Sequence, residues 1–204
     1  MPTTPFSRMA APKREALIAA AAAEFAAHSF AEASLNRIVT SCRMSKSSFY
    51  HVVESKEELL GLVVTELIAE ARADWPPPAV EDFAGDFWAT AERVWRDAVE
   101  VWPRSTALNL LWRIFSAHRE HPAVEQAGAV VDAWLTEVLE IGRRSGAVDA
   151  ECPQELQALG VQSLLRSFDE WSLRQAQGPG GIDAAWDSGL VADQFRLLRR
   201  LIEA

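Results

Sequence analysis

Ser45, Lys46, Ser47, Ser48, Tyr50 and His51 stand together in one short stretch, and their chemistry is that of a nucleic-acid contact. Hydroxyl, ammonium, phenol and imidazole groups all donate to phosphate oxygens, and small side chains let the backbone approach them closely. The amides and the positive dipole end of a helix start would point the same way. Tyr50 adds a ring for a thymine methyl, Lys56 falls at the next helix start where a second phosphate would lie, and Asn36 and Arg37 could reach base edges or backbone. The competing reading is that Ser45 and Ser55 only cap helices, Tyr50 only packs, and the lysines are solvated surface. Capping alone does not explain why so many short polar residues replace good helix formers such as Ala or Glu.

The elements that must hold these side chains run from Ser34 to Leu60. Leu35, Ile38, Val39 and Cys42 share one helical face. Cys42-Arg43-Met44 makes a turn, and Ser45 then stands where a helix N-cap belongs. Met44 and Phe49 are spaced as a hydrophobic staple across that cap, and Ser55-Lys56-Glu57-Glu58 reads as a capping box ahead of an apolar run. Helix, tight turn and short polar helix is the arrangement that enters a major groove. Upstream, residues 12–28 predict a helix with Pro12 in its first turn and Leu17, Ala21 and Phe25 along one face, and Phe30 should tuck under the following pair. Downstream, a helix from Lys56 should run to about Asp74 and stop at Trp75-Pro76-Pro77-Pro78. Further helices are expected at about 80–101, 104–119, 123–145, 153–176 and 187–203, bounded by Pro103, His121-Pro122, Gly146, Pro153 and the Gly178–Gly181 loop. No stretch alternates with period two, so the fold class is all-α.

A net charge of −9 over 204 residues looks unsuited to nucleic acid until it is divided along the chain. Residues 1–60 hold seven Lys/Arg against six acids, +1, and the remainder holds 13 Arg against 23 acids, −10. All three lysines, Lys13, Lys46 and Lys56, fall in the first part. A near-neutral segment with its cations at helix starts suits local phosphate contact, although an asymmetry of this size also arises by chance. Hydrophobic residues make up 49% of the chain, ample for a core, and no window has the length of a membrane span. MPTTPFSRMAAPKRE lacks the layout of a secretory signal, and Cys42 and Cys152 are far apart with no metal spacing. The expected location is the cytoplasm.

The run from Arg14 to Leu60 resembles the DNA-binding region of the tetracycline-repressor (TetR) family of bacterial regulators. The resemblance lies in Ile18-Ala19-Ala20-Ala21, Glu24-Phe25, Ser29-Phe30, Ala33-Ser34-Leu35 and Ile38. It continues through Met44-Ser45-Lys46-Ser47-Ser48-Phe49-Tyr50 and Ser55-Lys56-Glu57-Glu58-Leu59-Leu60. It covers about a quarter of the chain in detail. It implies a homodimer whose N-terminal domains read a palindromic operator in double-stranded DNA and whose C-terminal domains bind a small-molecule inducer. Residue by residue, it implies DNA contacts for Ser34, Arg37, Ser45, Lys46, Ser47, Ser48, Tyr50, His51 and Lys56. Four positions depart from the family pattern: Ser29, Arg43 and Ser47 stand for its usual glycines, and Val53 for its usual Phe. A left-handed turn residue other than Gly costs about 1 kcal/mol, so Arg43 puts the turn geometry in question.

Seven of the eight tryptophans follow the triproline. Trp88, Trp95 and Trp102 recur every seven residues and form one stripe, with Phe87, Val94 and Val101 as a parallel one. A helix apolar over so wide an arc is mostly buried, and at least one stripe should be core. The other would line a cavity for an apolar or aromatic small molecule, or for a cation. Trp88, Trp95, Trp112, Phe115, Trp134, Phe168 and Trp171 are the candidate walls, and Asn109 and Arg113 the candidate polar anchors. His118, Arg166 and Asp169 are further anchor candidates, and surface salt bridges account for such residues equally well.

His118 and His121 flank Glu120 without a third ligand, so no metal is expected. No nucleophile, metalloprotease or paired Glu-x-x-His pattern supports catalysis, and neither an enzyme nor a cofactor is expected. Val191, Phe195, Leu198 and Leu201/Ile202, with Leu156, Leu159, Leu164, Leu165 and Phe168, should pair two subunits through the last two helices, unless they only close the monomer's own core. The resulting division is a flexible arm at 1–11, a three-helix helix-turn-helix domain at 12–56, and a helical ligand-binding and dimerisation domain at 57–204. The function implied is a ligand-responsive transcriptional regulator acting as a repressor. The rivals are an activator of the same fold, and a helical enzyme or carrier that ignores DNA.

Overall fold

Pro12 sits in the first turn of α1 (Ala11–Ala27), where its missing N–H is not needed, and the alanine-rich run behind it propagates the helix. The computed structural model describes residues 5–179 and 181–204; the first four residues of the expected arm and Gly180 of the Gly178–Gly181 loop lie outside the described residues. After α1 come α2 (Leu35–Ser41), α3 (Lys46–Tyr50), α4 (Lys56–Asp74), a 3₁₀ turn (Val80–Ala84), α5 (Phe87–Val101) and α6 (Thr106–Ala117). Then follow α7 (Pro122–Ser145), α8 (Gln154–Ala176), α9 (Gly181–Ala185) and α10 (Ser188–Ile202). Among the described residues the only extended pairing is the isolated bridge between Val148 and Glu203.

The helices group into two compact units. The first combines the chain up to Ala71 with Ala107–Ala127, and the second combines Arg72–Thr106 with Gly128–Ala204. The first unit takes in nearly all of α6 and the start of α7.

In the first unit α1 buries Leu17, Ile18, Ala21, Ala22 and Phe25 and packs against α2, which buries Ile38 and Val39. Phe49 of α3 is fully buried, as are Leu59, Leu60 and Val63 of α4. Residues 5–8 form a turn that buries Phe6. Ala107, Leu108, Trp112, Ile114 and Val124 are the buried apolar residues of its second segment.

The second unit is built on Phe83, Phe87, Val138, Leu139, Val148, Ala158, Val161 and Ile202. The helix expected over 80–101 is broken in two. Asp86 caps α5 by accepting the Ala89 N–H at 3.0 Å, and that cap ends the 3₁₀ turn before it. Both stripes of α5 are drawn inward: Phe87 is buried, and Trp88, Ala91 and Val94 pack on the core. At Gly142 a Cβ would lie 2.5 Å from the Val148 side chain and 2.8 Å from the Phe87 ring, so only glycine admits this approach to α7. Arg143 fixes the link from α7 to α8, donating to the carbonyls of Asp149 (2.9 Å), Ala150 (3.0 Å) and Cys152 (2.8 Å) and to Gln157 Oε1 (3.0 Å).

Of the apolar residues on the last two long helices, Val191 and Ile202 belong to this unit's own core, and Leu165 and Leu198 pack on it. Leu156 and Leu159 on α8 and Leu197 and Leu201 on α10 are half or more exposed. A Cβ at Gly160 would meet Leu201 Cδ2 at 3.8 Å, so the two helices present these leucines side by side.

Candidate nucleic-acid interface

The frame of the interface is set by caps. Ser34 Oγ accepts the Arg37 N–H at 3.4 Å, Ser45 Oγ the Ser48 N–H at 3.1 Å and Ser55 Oγ the Glu58 N–H at 3.0 Å, one cap each for α2, α3 and α4. Glu58 does not close the reciprocal half of a capping box on Ser55; its carboxylate accepts the Glu54 N–H at 2.6 Å. Between α2 and α3 the chain turns at Arg43, whose φ of 55° is left-handed. An Arg there carries the steric cost a glycine avoids. Arg43→Gly is therefore expected to stabilise the protein by about 1 kcal/mol, read from chemical unfolding, whereas Arg43→Ala should gain nothing.

Phe49 faces inward with no exposure, and Tyr50, edge-on to it at 5.2 Å, points out with 57% exposure. Lys46, Ser47 and His51 are also exposed, giving α3 one polar outer surface. Ser45 donates its hydroxyl to Ser48 Oγ at 2.8 Å, so these two serines shape the start of the helix in addition to lying on its surface.

Two of the candidate cations are engaged within the unit. Arg37 donates through Nε to Glu24 Oε1 at 2.9 Å and through Nη2 to the Glu32 carbonyl at 2.8 Å. Glu24 also accepts the Ser34 N–H at 2.7 Å, which ties α1 to the start of α2. The Arg37 guanidinium, with help from that N–H, holds the Glu24 carboxyl below the usual carboxylate range. Lys56 Nζ donates to the Phe30 and Ala33 carbonyls, the latter at 3.0 Å, and lies 4.7 Å from the centre of the Phe30 ring. A phosphate contact by either residue would have to replace these bonds. The Glu24 hub went unseen in the sequence because its partners lie ten and thirteen residues away.

The candidate ligand residues divide between the units. Asn109, Trp112, Arg113 and Phe115 belong to the first, where Trp112 is buried and Arg113 exposed. Trp88, Trp95, Trp134, Phe168 and Trp171 belong to the second. Three of these indoles donate to backbone carbonyls: Trp88 to Ala147 at 3.1 Å, Trp95 to Val191 at 3.0 Å and Trp134 to Pro78 at 3.0 Å. The Arg199 guanidinium lies over the Trp88 ring and Phe195 meets that ring edge-on, and Trp102 bridges Trp75 and Trp186. An open groove of about 660 Å³ on α7 and α8 is lined by Thr136, Pro153, Gln154, Glu155, Ala158, Leu159 and Gln162, none of them a candidate ligand residue. Acidity is concentrated in the second unit, which holds 11 Arg against 19 acids, −8, beside nine Lys/Arg against ten acids, −1, in the first.

The sequence profile of the bacterial regulatory proteins of the tetR family matches residues 17–63. No curated protein matches the sequence. Among solved structures the chain is similar to a TetR family transcriptional regulator from Chloroflexus aurantiacus J-10-FL, with a TM-score of 0.71 at 16% identity over 98% of this chain and 97% of that one. It is also similar to a protein assigned to the tetR family of transcription regulators from Shewanella sp. PV-4 (TM-score 0.65, 20% identity, 94% and 98% covered). A third is a TetR family transcriptional regulator from Pseudomonas syringae pv. tomato str. DC3000 (0.58, 20%, 96% and 99%). At these identities the likeness is one of fold, and the profile match places the tetR signature on the segment that carries the polar helix.

Proposed function

We propose that this chain, a TetR-family protein by its residues 17–63 and its fold, is a ligand-responsive repressor that binds a palindromic DNA operator as a homodimer. The observation that carries the reading is α3: a short helix with Lys46, Ser47, Tyr50 and His51 outside and Phe49 locked inside. A flexible polar loop could bind phosphate, but only a helix held this firmly can repeat the same base contacts in each groove. Lys46, Ser47, Tyr50 and His51 make the contacts. Ser34, Arg37, Ser45, Ser48 and Lys56 position them, through the caps and bonds already described. Two copies of α3 in successive major grooves stand about 34–36 Å apart.

The partner is a second copy of the chain, docked through Leu156, Leu159, Leu197 and Leu201. The effector is a small apolar or aromatic molecule taken up by the tryptophan-rich helices. It favours a dimer whose reading helices are wrongly spaced, so effector and DNA lower each other's affinity by the same factor. No described helix is long and apolar enough to cross a membrane, and the cytoplasm is where the operator would be met.

Lys46→Ala tests the assignment of the contacts. It should weaken binding to every duplex alike and reduce the slope of log affinity against log salt by about 1 per subunit. An unchanged affinity and slope, measured by titration across a salt series, would remove Lys46 from the interface.

A further inference from the structure

His118 directly follows α6 and His121 directly precedes α7, so two imidazoles meet at one corner of the first unit. His118 is buried; its Nε2 donates to the Phe25 carbonyl at 2.7 Å, and its ring meets the Phe25 and Phe30 rings edge-on at 5.7 and 6.3 Å. His121 Nδ1 accepts the Ala123 N–H at 3.2 Å, so the neutral side chain caps the first turn of α7. Its Nε2 is enclosed, with no hydrogen-bond partner among the described residues. Its ring rests against Phe30 at 5.4 Å, and the Lys56 ammonium lies over that same phenyl ring.

A proton on His121 Nδ1 removes the cap, because the nitrogen no longer accepts. It also sets a cation at the positive end of a 24-residue helix, on a phenyl ring already shared with Lys56. The charged groups on the surrounding elements are Glu24 of α1, His28 directly after it, Glu32 of the following loop, Lys56 and Glu57 of α4, and Arg119, Glu120 and Glu125 around the pair. Glu24 is committed to Arg37 and Glu32 to Ser29. Glu57 favours the proton, yet burial and the neighbouring His118 outweigh it and hold the His121 imidazole below its ordinary pKa.

We propose that His121 is a proton-sensitive latch on the DNA-reading unit: neutral, it caps α7 and seats Phe30; protonated, it releases both. The release reaches the interface because the Phe30 and Ala33 carbonyls hold Lys56 and the Glu32 carbonyl holds Arg37. Because the folded-state pKa is depressed, the stabilisation is present above the unfolded value and is lost as pH falls through the folded one. The latch rests on the DNA-binding reading for its consequence, but not for its existence.

The test compares the full-length chain with His121→Asn, which caps without titrating, on the duplex selected by the wild type. Between about pH 7.5 and about pH 5, wild-type affinity should fall about fivefold more than that of the variant. Every other histidine is common to the two proteins, so their difference reports position 121 alone. Thermal unfolding across the same range should show the same divergence, with His121→Ser as a second uncharged cap. Parallel pH profiles would overturn the latch, as would an imidazole resonance of wild-type His121 titrating at or above about 6.5. A wild type that binds no duplex at about pH 7.5 counts against DNA binding, while the unfolding comparison and the resonance still decide the latch.

Discussion

Phe49→Ala is expected to cost about 3–5 kcal/mol of stability and to abolish duplex binding. The phenyl ring is fully buried and is the one buried side chain of α3. A five-residue helix makes too few backbone hydrogen bonds to stand alone, so α3 relies on that ring and the Ser45 cap for its orientation. Removing the ring leaves a cavity beneath Tyr50, which packs edge-on against it. Equilibrium unfolding should show the loss directly. Because it removes a large part of a typical domain's stability, binding should fail even where much of the helix content survives. A loss below about 1 kcal/mol would mean that other contacts hold α3.

Leu159→Glu combined with Leu201→Glu is expected to convert the proposed dimer to a monomer and to weaken binding to a two-half-site operator by about 10²–10⁴. Both leucines are at least half exposed in the single chain, so the substitutions cost little within it; in a dimer they bury four carboxylates without partners. Leu156 and Leu197 complete an apolar face that a monomer would leave to water. Sedimentation reports the change in mass, and circular dichroism confirms that the helices remain. A double variant still dimeric at micromolar concentration would place the subunit interface elsewhere.

What could be read in the sequence was local. Ser45 and Ser55 announce caps because a hydroxyl ahead of an apolar run has one common use, and both cap as expected. The α4 bounds follow from Ser55 and from the triproline, and the helix indeed spans Lys56–Asp74. Arg43 was legible too: a turn position that favours glycine shows up in the structure as a left-handed Arg. What could not be read depends on distant partners. Arg37 and Lys56 carry the charges expected of phosphate contacts, but Glu24 and the Phe30 and Ala33 carbonyls occupy them, and nothing in their own neighbourhood signals this. Gly85-Asp86 is a local exception, a break signal inside the stretch expected as one helix: Asp86 caps α5 and leaves the 3₁₀ turn as a separate element. The tryptophans gave a periodicity but not a role: heptad spacing is the same whether an indole lines a cavity or, as with Trp88, bonds to the Ala147 carbonyl.

Selection of duplexes from a random pool by the purified full-length chain tests the central claim most directly. A palindrome whose half-sites are centred about one helical turn apart should be enriched, and the enrichment should be lost when Lys46→Ala is combined with Tyr50→Phe. Failure to enrich any sequence beyond what that double variant retains would contradict it.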